Sequence, residues 1–215
     1  MKHVKIATHL PLLYGALKVN MAAWNKFSSE IKTFKKNGFT DTDRKILEDA
    51  KNNLEQTHAV IVLIANCLTE ALANYFLTNK CQGDKERFAN LEGRSTYEKF
   101  VEVPKLFLKD YEFPENKLNS DLQQLLALRT SLVHSKPRVF VNGQVTQKGN
   151  LATRGQVSTL NAEKCASLPA RLVAHIWKFD RGALAELWIN SDFSNSVKHE
   201  NSISQIKSSN QHLAK

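Results

Sequence analysis

Apolar residues recur along this chain at intervals of three and four rather than two, so helices dominate the reading. Leu12, Leu13, Ala16, Leu17, Ala23, Trp24 and Phe27 mark a first helix over about Leu10 to Phe34, ended by Lys35, Lys36, Asn37 and Gly38. Thr40, Asp41, Thr42 and Asp43 carry side-chain oxygens that accept the open amide protons of a first turn and complement its dipole, which predicts a second helix start. From Ile46, the positions Ala50, Leu54, Ile61, Ala65, Leu68, Leu72 and Phe76 carry that helix over roughly 38 residues to Lys80. Its middle, Ala59 to Ala65, is apolar on every side, as expected of a central post surrounded by protein. Asn66, Glu70 and Asn74 are spaced four apart and draw a polar line down that post, where they require partners.

Beyond Lys80, Gln82 to Gly93 reads as a polar loop. Tyr97, Phe100, Val101, Leu106 and Phe107 predict a third helix that Pro104 kinks or divides, and Phe113 and Pro114 belong to a connection. Leu118, Leu122, Leu125, Leu126, Leu128, Leu132 and Val133 form a fourth helix with His134 in its last turn, stopped by Pro137, which pushes the preceding residue out of helical geometry. In Val139-Phe140-Val141-Asn142-Gly143-Gln144-Val145, Asn-Gly supplies the positive φ angles of a tight turn between alternating residues, predicting a β-hairpin that Gln156 to Ser158 is placed to extend. A fifth helix runs from Asn161 to about Asn190 through Leu168, Leu172, Ile176, Phe179, Ala183 and Leu187, with Trp177 and Trp188 adding bulk and Pro169 kinking its start. Ser191 to Lys215, rich in Ser, Asn and Lys, buries too little to offset its ordering entropy. The expectation is a mainly α fold: a bundle of about five helices with a small hairpin insertion after the fourth, one domain over 1–190 and a flexible polar tail over 191–215.

Composition fits a globular helical protein, with 42% hydrophobic and 24% charged residues and only 8 Gly and 5 Pro. A net charge of +9, from 30 Lys and Arg against 21 Asp and Glu, favours polyanionic partners, although many basic helical proteins bind none. Cys67, Cys81 and Cys165 are far apart and odd in number, which argues against a disulfide framework and a structural zinc site and suits a reducing cytoplasm. The apolar stretch from Leu10 to Leu17 is interrupted too soon by His9, Pro11 and Lys18 for a signal peptide, and no apolar run approaches the ~20 residues of a membrane span. No acidic or histidine cluster has the spacing of metal ligands, so no metal or other cofactor is expected.

The stretch Leu125-Leu126-Ala127-Leu128-Arg129-Thr130-Ser131-Leu132-Val133-His134 resembles the motif of the HEPN superfamily, in which an arginine, usually followed by a polar residue, is separated from a histidine by four to six intervening residues, here four. The long second helix with an acidic residue, the late motif helix and the closing helix follow the same order. Thr130 departs from the Asn, Asp or His often found after that arginine. The resemblance implies a HEPN-like helical bundle and a metal-independent endoribonuclease, acting as a toxin or antiviral effector. It further implies a symmetric homodimer that brings two motifs to one cleft, and a cognate antitoxin or defence-system partner, in some relatives an enzyme that silences the toxin by nucleotidyl modification. The alternative within the superfamily is a non-catalytic nucleotide- or protein-binding module.

Residue chemistry suits the catalytic reading. Attack of a 2′-hydroxyl on its own phosphodiester needs a proton carrier near neutral pH, the role for His134, and a fixed cation for the phosphorane, the role for Arg129, whose planar fork matches two phosphate oxygens. Five residues of ideal helix turn through about 500°, so the two side chains diverge by about 140° unless the last turn unwinds, which Pro137 favours. The plainer alternative is that both cap exposed carbonyls at a helix end. Glu70 either pairs with Arg129 or orients His134, or is simply a satisfied buried group; Asn66 and Asn74 carry the same ambiguity, and His58 reads as a core histidine. Thr130 and Ser131 are placed to touch phosphate or to bond their own backbone, and Lys136 and Arg138 to hold the RNA backbone or to sit as solvated charge.

Overall fold

A computed structural model of the chain describes residues 9–34, 41–133, 139–141, 144–147 and 161–180. Among them are six α-helices: α1 Leu10–Phe34, α2 Asp41–Lys80, α3 Lys85–Glu92, α4 Thr96–Val101, α5 Lys117–Val133 and α6 Ala162–Trp177. Strands β1 Val139–Val141 and β2 Gln144–Gln147 pair antiparallel, Val141 opposite Gln144 and Phe140 opposite Val145, with an irregularity between Val139 and Phe140. The class is mainly α. The expected tail over 191–215, the turn residues Asn142 and Gly143, and the stretch 156–158 lie outside the described residues.

Local chemistry explains the boundaries. Gly83, at φ +84°, makes the left-handed turn after α2 that a side chain would strain. The expected loop over Gln82 to Gly93 is instead mostly helix α3: Asp84 caps it by accepting from the Arg87 backbone N–H at 2.9 Å, and Leu91 is buried. Its short length and polar surface hid it. Ser95 and Glu98 form a reciprocal capping box at the start of α4. Pro104 does divide the third helical segment: α4 ends at Val101 and a 3₁₀ turn, Val103–Leu106, follows with the proline in its first turn, where its missing N–H costs nothing. Asn116 starts α5, its Oδ1 accepting from the Leu118 N–H at 2.9 Å. Asn161 does the same for α6 through the Glu163 N–H, also at 2.9 Å. Helix α6 stops at Trp177 rather than near Asn190; the Lys178, Phe179 and Asp180 amides turn back onto the His175 and Ile176 carbonyls and tighten its end.

The described residues fall into two compact units. The first takes its members from Met1–Tyr14, Cys67–Ser120 and Ser167–Lys215, the second from Gly15–Asn66 and Asp121–Ala166. In the first, Leu77, Cys81, Leu91 and Val103 form a core cluster against which Phe88 and Phe107 pack, and Leu68, Leu72, Phe76, Phe100, Leu172 and Ile176 are also buried. In the second, Leu17, Ala50, Ile61, Val62, Leu122, Leu125 and Leu128 are buried. The middle of α2 is not sealed on all sides: Val60 is 39% exposed and Leu63 and Ile64 are half-buried. Helix α2 also corrects the expectation about apolar runs. An 18-residue window within 43–80 has a mean hydropathy of 1.7, long and apolar enough by composition to cross a membrane, while 61% of that window is buried inside the fold, as in core helices of soluble proteins.

Candidate functional site

Helix α5 buries Asp121, Leu122, Leu125 and Leu128, a stripe at helical spacing. Arg129 lies four residues after Leu125 and seven after Leu122, so it continues that inward stripe and is half-buried at its end. Among the described residues its side chain forms no hydrogen bond or ion pair. Thr130 is exposed and its hydroxyl donates to the Leu126 carbonyl at 3.0 Å, the local backbone bond that competes with any ligand. Ser131 is half-buried. His134, Lys136 and Arg138 lie outside the described residues.

The polar line on α2 breaks into three different environments. Asn66, in the second unit with Arg129, is buried, and its Oδ1 accepts no hydrogen bond among the described residues. Glu70, expected on the buried line, is exposed and belongs to the first unit. Four-residue spacing drifts by about 40° per step, so a row that starts inside need not stay there. Asn74 is half-buried and has the partner the sequence did not reveal: Lys99 of α4, 5% exposed, donates from Nζ to Asn74 Oδ1 at 2.8 Å. No carboxylate pairs with Lys99 among the described residues. No spacing rule marks that lysine, which sits inside a short capped helix. His58 is buried, in line with a core histidine.

A second cluster that the sequence did not signal gathers at the end of α6, within the first unit. His175 lies 5.5 Å from the rings of Tyr111 and Phe113 and 5.4 Å from that of Phe179, and its Nε2 bonds the Glu112 carbonyl at 2.9 Å. A carbonyl only accepts, so Nε2 carries the proton. Burial lowers the pKa of this imidazole below its ordinary value, against the raising effect of the Glu112 bond. Tyr111 donates to the Phe100 carbonyl at 2.6 Å, and burial raises its phenol well above the usual range. Lys80 pairs with Asp180 beside them. Burial likewise pushes the Cys81 thiol up, which disfavours the thiolate needed for nucleophilic chemistry. The His175 Nε2–H and the Tyr111 hydroxyl are thus each held by a backbone carbonyl.

Charge divides unevenly along the chain. The described residues hold eighteen Lys and Arg and eighteen Asp and Glu, so the whole +9 resides in the remaining segments. Of these, 134–160 carries Lys136, Arg138, Lys148 and Arg154 with no acidic residue, and it begins at the motif histidine. Among the described residues no group of three or more His, Cys, Asp or Glu is arranged to hold a metal ion. Compared with known proteins, the chain matches no family model, no curated protein and no solved structure.

Proposed function

We propose that this chain is a HEPN-like, metal-independent endoribonuclease of the cytoplasm, acting as a toxin or antiviral effector and held in check by a cognate antitoxin or defence-system partner. The observation that carries this reading is Arg129: a half-buried cation on the inward stripe of α5, without a carboxylate partner among the described residues and five positions before His134. A guanidinium placed so is available to a phosphate, and the acid-free run that follows suits an RNA backbone. In the proposed reaction the 2′-oxygen attacks the adjacent phosphorus and the bond to the 5′-oxygen breaks. His134 handles the proton that leaves the 2′-hydroxyl and the one that the 5′-oxygen gains, while Arg129 stabilises the phosphorane. The products are a 2′,3′-cyclic phosphate, or the monophosphate left when water opens it, and a 5′-hydroxyl. Lys136 and Arg138 hold the backbone, Asn66 and Ser131 support the site, the hairpin insertion follows the motif helix, and a homodimer supplies the second copy of each group. No cofactor takes part.

Transfer RNA and messenger RNA incubated with the purified protein in EDTA test this. Wild type cuts, His134→Ala does not, and Arg129→Ala is slower by about a hundredfold with an unchanged thermal melt. Intact RNA at high protein concentration, or equal cutting by His134→Ala, rules the reading out. A non-catalytic binding module of the same superfamily is the second reading, and one observation favours it: the Thr130 hydroxyl is engaged by the Leu126 carbonyl, away from any substrate. That reading predicts that Arg129→Ala lowers the melting temperature instead.

A further inference from the structure

The first unit carries a cleft of about 290 Å³ beside α3, lined by Asp84, Glu86, Arg87, Asn90, Leu91 and Leu106. Arg87 is fixed there from three directions. Its guanidinium carbon stands 4.2 Å from the centroid of Phe107, its Nη2 donates to the Leu106 carbonyl at 3.3 Å, and its backbone N–H is held by Asp84. Phe107 is itself set by an edge contact to Phe76, ring centroids 6.4 Å apart. One face of the guanidinium is thus covered, and most of its in-plane donors are uncommitted.

Two carboxylates line the same cleft, yet no ion pair joins either to Arg87 among the described residues. Asp84 is engaged by one oxygen as the cap of α3, while the Glu86 carboxylate accepts no hydrogen bond among the described residues. Leu106 is 56% exposed at this cleft although it is large and apolar. A simple anion is disfavoured by the carboxylates and a simple cation by Arg87. The complementary occupant is a neutral, flat group with adjacent acceptors on one edge, adjacent donors on the next, and an apolar face.

We infer that this cleft binds an unpaired guanine base of RNA. Guanine alone among the four bases sets O6 and N7, two acceptors for an arginine fork, beside N1–H and N2–H₂, two donors for one carboxylate. Arg87 serves the first edge, Glu86 the second, and Leu106 covers a ring face. Single-stranded RNA is the form in which such a base is free to enter. The inference rests on the ribonucleic acid reading above for the source of the base, and it assigns that substrate a preference for unpaired guanosine.

The test uses free nucleosides, which carry no phosphate, and the full-length chain with His134→Ala, so that neither backbone charge nor cleavage contributes. Guanosine is expected to shift the amide resonances of Arg87, Asn90 and Leu106, with adenosine, cytidine and uridine leaving them in place. Glu86→Gln keeps the shape of the cleft but replaces an acceptor with a donor, and it weakens guanosine binding about tenfold or more. No shift with guanosine, equal shifts with all four nucleosides, or unchanged affinity in Glu86→Gln overturns the inference. RNA cleavage without guanosine binding breaks this inference alone, and guanosine binding without cleavage breaks the ribonuclease reading alone.

Discussion

Helix α1 and the second half of α2 carry apolar residues at the same spacing, but the fold covers them to different degrees. Seven of the fourteen residues from Cys67 to Lys80 are buried, whereas of the twenty from Gly15 to Phe34 only Leu17 is. Trp24, Phe27, Ile31 and Phe34 remain half-buried, and Val19 is 70% exposed. The first unit adds long-range polar ties to its apolar cover: Lys99 to Asn74, Tyr111 to Phe100, His175 to Glu112 and Lys80 to Asp180. Bonds from a side chain to a carbonyl four residues back in its own helix occur in both units, at Asn20, Thr33, Thr57 and Thr130 in the second and at Thr78 in the first. Periodicity therefore tells which face of a helix is apolar but not how completely anything covers it. Arg129 belongs to the same unit as residues 15–34 of α1.

Truncation of a buried ring separates the two units most strongly. Phe76→Ala, at a fully buried ring, is expected to cost about 3–5 kcal/mol in urea denaturation, and Trp24→Ala less than about 2 kcal/mol; equal losses would show that burial in the two units does not differ in energy as it does in area. A smaller effect reads the polar ties. Asn74→Ala strands the Lys99 ammonium and costs about 1–3 kcal/mol, whereas the double change Asn74→Leu with Lys99→Met, which removes both partners, costs less. A double variant no more stable than Asn74→Ala contradicts this. The smallest effect is the pH dependence of the first unit. Burial holds His175 below its ordinary pKa, so the unfolded chain takes up that proton first. The stability contributed by the neutral ring is complete above about pH 6.5 and is lost as pH falls through that value toward the folded one. His175→Gln retains a donor for the Glu112 carbonyl and should flatten this part of the curve. Denaturation midpoints at about pH 7.5 and about pH 5.5 read it, and an equal acid loss in both proteins would refute it.

Local sequence accounts for the two longest helices. The bounds of α1 matched its apolar periodicity from Leu10 to Phe34, α2 began at the acidic cluster around Asp41, and Pro104 divided its segment as its missing N–H requires. These are local effects, decided by neighbours a turn away. Helix α3 was missed because its stability depends on Asp84 and on Leu91 reaching the core, and its eight residues are too few for periodicity to emerge from a polar background. Only the tertiary structure decided the fate of the Asn66, Glu70 and Asn74 line, since which side of a helix is covered depends on elements distant in sequence. It alone brought Lys99 to Asn74, His175 to Tyr111 and Phe113, and Arg87 to Phe107. Arg129 stands between the two cases: its motif is written in ten consecutive residues, while its lack of a carboxylate partner among the described residues is a property of everything folded around it.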